Sequence, residues 1–96
     1  MTTEERAHIE GRLRAVASHH LDIDPGRLVL TARLGQDLCV DSLDAVELTM
    51  VLEDEFDIAL PDQVVADVRT FGDIVALVQE RVGARADGFR LDGAGA

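Results

Sequence analysis

The chain has 96 residues, enough for one small domain with a modest core and little spare stability. Its 19 acids and 9 bases give a formal charge of −10, and every base is Arg. This balance argues against nucleic acid and anionic membrane surfaces, and for soluble partners with basic patches. The single Cys, Cys39, excludes an internal disulfide and suits a reducing cytoplasm.

No basic segment followed by an apolar run opens the chain, and no apolar stretch is long enough to span a bilayer, so a cytoplasmic protein without membrane insertion is expected. The aromatic residues are three Phe, with no Trp or Tyr, which leaves Leu, Val, Ile and Ala to fill the interior. That palette favours an all-α fold over a sandwich.

A first helix is expected from about residue 3 to residue 20. Thr2 and Glu5 have capping-box spacing, and Ile9, Leu13, Val16 and Ala17 recur at helical intervals. Asp24-Pro25-Gly26 ends this region with turn chemistry. A long first loop follows, to about Asp41. Leu28, Val29, Leu30, Leu34 and Leu38 make it too apolar for a free linker, so it should pack on the core, with room for a short helical turn.

The second helix is placed at about residues 42–57, with Asp41 or Ser42 as N-cap and Asp44 and Glu47 near the positive end of the helix dipole. Leu60-Pro61-Asp62 stops the chain, and a short third helix is expected near residues 63–66. A fourth helix is expected at 70–82, with Thr70 and Asp73 at capping-box spacing and Gly83 as C′ residue. From Ala84 onward the sequence is Gly, Ala and polar residues with isolated Phe89 and Leu91. The folded domain is therefore placed at residues 1–83 and a disordered tail at 84–96.

The second helix carries two apolar stripes. At the helical repeat, Ala45, Leu48, Leu52 and Phe56 fall within about 80° of one another and form a core stripe. Leu43, Val46 and Met50 lie nearly opposite, together with Glu47 and Asp54, and Glu53 borders that side. This second stripe either packs under the long loop or stands exposed for partners. Charge favours the second reading. Between Arg33 and Arg69 there is no base, while acids recur from Asp37 to Asp67. A helix face of one sign forgoes i,i+4 pairing and adds repulsion, which steering of basic partners explains better than solubility alone.

Asp41-Ser42-Leu43-Asp44 puts a serine hydroxyl where loop becomes helix. A phosphodiester there would meet free backbone N–H groups and a favourable dipole. The plainer reading makes Ser42 only a cap. A catalytic serine needs an oriented base, yet the only histidines are His8, His19 and His20, and no Gly-x-Ser-x-Gly elbow surrounds Ser42.

These residues resemble the acyl carrier protein family. Asp41-Ser42-Leu43 is similar to its Asp-Ser-Leu attachment motif, and Asp44-Ala45-Val46-Glu47-Leu48, Glu53-Asp54-Glu55-Phe56-Asp57-Ile58 and Leu60-Pro61-Asp62 follow in the family's order and spacing. The resemblance covers about residues 34–82. It implies a four-helix bundle with three main helices and one short one. It implies that Ser42, flanked by Asp41 and Leu43, accepts a 4′-phosphopantetheine arm from coenzyme A through a phosphopantetheinyl transferase. The arm would hold acyl groups as thioesters and shuttle them between enzymes of fatty-acid, polyketide or lipopeptide assembly, in a monomeric, non-catalytic carrier. Acyl-transferring, condensing or acyl-activating enzymes would dock basic surfaces on Leu43, Asp44, Val46, Glu47, Met50, Glu53 and Asp54. The acidic run resembles fatty-acyl carriers more than polyketide ones. The small aliphatic side chains of helices two and four would let an acyl chain fold back between them. The alternative is an acidic adaptor that uses the same face with Ser42 as a mere cap.

Cys39-Val40 departs from the Gly-Ala that many family members carry there, and a side chain at Cys39 limits the backbone. Cys39 is expected to be a small buried hydrophobe. His19 and His20 diverge on the helix and suit its C-terminal end rather than a shared metal. The acids of Glu53–Asp57 lack the spacing of a calcium loop.

Overall fold

A computed structural model describes the backbone of residues 2–95 and the side chains of residues 2–84. Helix α1 spans Thr3–Leu21, α2 Ser42–Phe56, α3 Asp62–Val65 and α4 Phe71–Gly95, with a 3-10 turn at Pro25–Arg27. The expected all-α bundle of three main helices and one short helix is present. Among the described residues the only β pairing is an isolated bridge between Arg33 and Thr70.

Local chemistry sets the helix ends. The Thr2 hydroxyl accepts the Glu5 N–H at 3.2 Å and opens α1. At its other end Asp22 takes a left-handed conformation, φ 55°, and the Ser18 carbonyl receives the N–H groups of Asp22 and Ile23. Thr70 and Asp73 form the reciprocal cap that their spacing suggests, each side chain accepting the other's backbone N–H at 3.1 Å.

Ile9, Leu13 and Ala17 of α1 meet Leu48, Leu52 and Phe56 of α2 and Phe71, Ile74, Val75 and Val78 of α4 in one core, which also takes Leu28, Ala32 and Leu38 from the long loop. The loop is laced to the start of α4. Phe71 and Gly72 donate their N–H groups to Ala32 and Leu30 at 2.9 Å, and Leu34 donates to Arg69 at 3.0 Å. Arg14 holds the loop from the other side. Its Nε donates to the Leu28 carbonyl at 3.0 Å, and its guanidinium lies 5.3 Å over the Phe71 ring. With the loop anchored on α1 and α4, nothing among the described residues covers the outer stripe of α2.

Two expectations change. Gly83 does not end α4: it lacks the positive φ of a C′ glycine, and helical backbone continues to Gly95 where the sequence suggested a stop at residue 82. Ala84, Arg85 and Ala86 are strong helix formers that outweigh the isolated Gly. Cys39 is exposed rather than buried, with φ 57°. The turn that delivers the chain into α2 requires a left-handed residue there, and that conformation points the side chain outward, leaving Leu38 and Val40 to face the core.

Candidate functional site

Asp41 is the N-cap of α2, with extended backbone, and its carboxylate accepts the Asp44 N–H at 2.8 Å. Asp44 returns the bond, its carboxylate accepting the Asp41 N–H at 3.4 Å. This capping box leaves Ser42 as the first helical residue and frees it from the cap role. Ser42 is exposed. Among the described residues, no group bonds its hydroxyl or the backbone N–H groups of Ser42 and Leu43. The site therefore offers a free hydroxyl beside two free amides at the positive end of a 15-residue helix. A phosphodiester fits that donor set. No base reaches the hydroxyl among the described residues, so the chain itself lacks the means to activate it as a nucleophile.

Leu43, Val46 and Met50 are 66, 56 and 63 % exposed and form a continuous apolar strip leading away from Ser42. Glu47 and Asp54 flank it in the open. The His20 Nε2 lies 3.9 Å from the Glu47 carboxylate and ties the end of α1 to this face whenever the imidazole is protonated. Two of the acids assigned to the face are engaged within the fold: Asp44 in the cap, and Glu53, half-buried, through a 2.8 Å bond from the Leu60 N–H.

Behind the strip lies a cavity of ≈ 240 Å³, lined by Leu48 and Leu52 of α2, Val65 of α3, and Ile74 and Leu77 of α4, with Leu34 from the loop. It has room for an aliphatic chain. The sequence pointed to space between α2 and α4 but gave no sign that Leu34 and Val40 of the loop or Val65 and Val68 around α3 would line it. A Val-rich short helix beside an amphipathic one is the signal that was available. Among the described residues, no group of His, Cys, Asp and Glu is arranged to hold a metal ion.

An exposed, unbonded serine at a helix N-terminus, a one-sign apolar strip and an aliphatic cavity behind it are matched by comparison with known proteins. Residues 11–78 match the family pattern described as the phosphopantetheine attachment site. The chain belongs to the acyl carrier protein family. It is 47 % identical over 73 residues to the acyl carrier protein of Phenylobacterium zucineum (strain HLK1), covering 76 % of this chain and 92 % of that one. It is 43 % identical over 70 residues to the acyl carrier protein of Caulobacter vibrioides (strain NA1000 / CB15N), over 73 % of this chain and 90 % of the relative. The fold matches the solution structure of the apo doublet acyl carrier protein from prodigiosin biosynthesis with a TM-score of 0.71 at 25 % identity, over 84 % of this chain and 39 % of that one. Acyl carrier proteins are carriers and not enzymes, their cofactor is phosphopantetheine, and their partners include a phosphopantetheinyl transferase and acyl-handling enzymes. The adaptor alternative gives way to the carrier.

Proposed function

We propose that Ser42 is the attachment point of the phosphopantetheine arm and that α2 presents the arm to visiting enzymes of fatty-acid or related polyketide or lipopeptide assembly. The observation that carries this reading is the free Ser42 hydroxyl at the first position of α2, beside two unpaired amides. When bound, the arm supplies the thiol on which acyl groups travel as thioesters. The chain's own residues do the rest. Asp41 and Asp44 fix the helix start so that the hydroxyl points outward. The amides of Ser42 and Leu43 would hold the phosphate, which would offset repulsion from the two carboxylates.

Leu43, Val46 and Met50 give visiting enzymes apolar contact, while Asp44, Glu47, Glu53 and Asp54 provide the negative field. Such a field raises the association rate more than it slows release, which suits a carrier that leaves each enzyme after one step. The cavity behind α2 shelters an aliphatic cargo. The carrier domain is taken as residues 1–83 of a monomeric, cytoplasmic protein; residues 84–96 lie outside the region matched by the family pattern. No described helix is long and apolar enough to cross a membrane.

Acyl transfer tests the function. The protein treated with a phosphopantetheinyl transferase, then with an acyl-activating enzyme and a fatty acid, should acquire a hydroxylamine-labile acyl group. Ser42→Ala, treated identically, should acquire none. Acylation of the variant to the same extent sinks the reading.

A further inference from the structure

Glu53 is the one acid of the α2 face whose carboxylate is committed to the cavity wall. Its backbone carbonyl receives the N–H groups of Asp57 and Ile58, and its Oε2 receives the N–H of Leu60 at 2.8 Å. One residue thus gathers three amides of the loop that leads to α3. Leu60, brought down by the side-chain bond, is 4 % exposed and lines the cavity together with Glu53 itself.

Beyond Leu60, itself a core residue, the wall is anchored by Val68 packed against the core and by little else. Helix α3 is four residues long, buries none of them, and has no side-chain cap at Pro61. Among the described residues, the hydrogen bonds of segment 61–68 stay within that segment: Val64 and Val65 donate to Pro61, Ala66 to Asp62, and Val68 to Val65. One-turn helices without caps are marginal by themselves. The segment is therefore pinned at its ends, by the buried Leu60 and its bond to Glu53 on one side and by Val68 and the Arg69–Leu34 bond on the other.

We propose that Glu53 is a latch: its bond to the Leu60 N–H holds the α3 wall over the cavity and so shields a cargo lodged there. Glu53 is a positioning residue and touches no reacting atom. A carboxylate accepting a backbone N–H in a half-buried site makes a charge-assisted bond, stronger than a neutral one. The shielding of cargo rests on the carrier reading; the closure of the wall does not.

Amide hydrogen exchange of the unmodified protein, followed by NMR, tests the latch without any arm. In Glu53→Ala the amides of Leu60 and of Val64–Ala66 should exchange about tenfold faster, the ratio that one such bond controls. The α1 amides of Leu13 and Val16 should keep their rates. Glu53→Gln keeps an acceptor oxygen without the charge and should fall between wild type and Glu53→Ala, and Glu80→Ala, an exposed charge removed elsewhere, should change nothing. In protein loaded with an octanoyl thioester, Glu53→Ala should lose the cargo to hydrolysis several-fold faster than wild type. Unchanged exchange at Leu60 in Glu53→Ala, an equal acceleration in α1, or the same effect from Glu80→Ala overturns the proposal. So does a thioester hydrolysed at the wild-type rate in the loaded variant. Failure to load an arm on Ser42 counts against the carrier reading and leaves the exchange result to decide the latch alone.

Discussion

Gly72 and Leu30 are in direct backbone contact: the Gly72 N–H donates to the Leu30 carbonyl at 2.9 Å, and a Cβ on Gly72 would fall 2.7 Å from that same oxygen. The first turn of α4 is thereby pressed against the long loop, and the loop is kept off the outer face of α2. Gly72→Ala has a helix-propensity gain of about 1 kcal/mol. It must also push apart two backbones that cannot yield as a side chain would. The expected net result is a loss of about 1–2 kcal/mol in chemical denaturation, within the range seen for overpacking.

Cys39 sits at φ 57°, in the left-handed region that costs a residue with a Cβ roughly 1–2 kcal/mol. Its side chain is exposed. Cys39→Gly relieves the strain at the expense of a more mobile unfolded chain. The variant should be more stable than the parent by up to about 1 kcal/mol, read as a higher denaturation midpoint at unchanged slope. A lower midpoint would show that the side chain has a packing role the fold does not reveal.

Asp73 accepts the backbone N–H of Arg69 at 3.0 Å and of Thr70 at 3.1 Å, and these bonds hold its carboxyl below the ordinary value of 3.8. Asp37 is lowered in the same direction, first by the Arg33 N–H and then by the Arg33 side chain. A depressed folded-state pKa contributes stability that is present above the unfolded value and lost as pH falls through the folded one. Asp73→Ala should therefore be less stable than wild type at pH 7, by about 1 kcal/mol for a lost cap. The gap should narrow as pH drops below 3.8. Urea midpoints measured across that range check the sign; a gap that widens in acid contradicts it.

The two stripes of α2 separate stability from docking. Leu52 is 2 % exposed and Met50, two residues earlier, is 63 % exposed. Leu52→Ala should cost about 2–4 kcal/mol. Met50→Ala should stay within about 0.5 kcal/mol of wild type yet slow delivery of cargo to an acyl-accepting enzyme. Glu47→Arg should slow association further, and salt should shrink the difference because the exposed charges are screened. Rates independent of Glu47 would remove the electrostatic part of docking while leaving the attachment site intact. Glu53 is a poorer choice for this test, since its loss also frees the α3 wall.

Much of this was legible in the sequence because it rests on local periodicity and on residues close together in the chain. The inward stripe of Leu48, Leu52 and Phe56, the caps at Thr2 and Thr70, and the placing of Ser42 at the start of α2 all follow from spacings of three or four. What escaped depends on contacts across the chain or on backbone geometry. The Arg33–Thr70 bridge joins residues whose pairing no local pattern announces. The outward turn of Cys39 follows from a φ angle, and composition suggested the opposite. Glu53 looked like its neighbours Asp54 and Glu55; only the return of the loop brings the Leu60 N–H to its carboxylate. Gly83 carried a stop signal that the following Ala and Arg residues override.

The central claim is that the hydroxyl of Ser42 receives the arm. Intact mass after incubation with coenzyme A, Mg²⁺ and a broad-specificity phosphopantetheinyl transferase tests it most directly. The account predicts a single phosphopantetheine adduct on the folded protein, mapped to the peptide containing Ser42 and absent from Ser42→Ala. A folded wild-type protein that takes up no adduct, or a Ser42→Ala variant that still gains one, contradicts it.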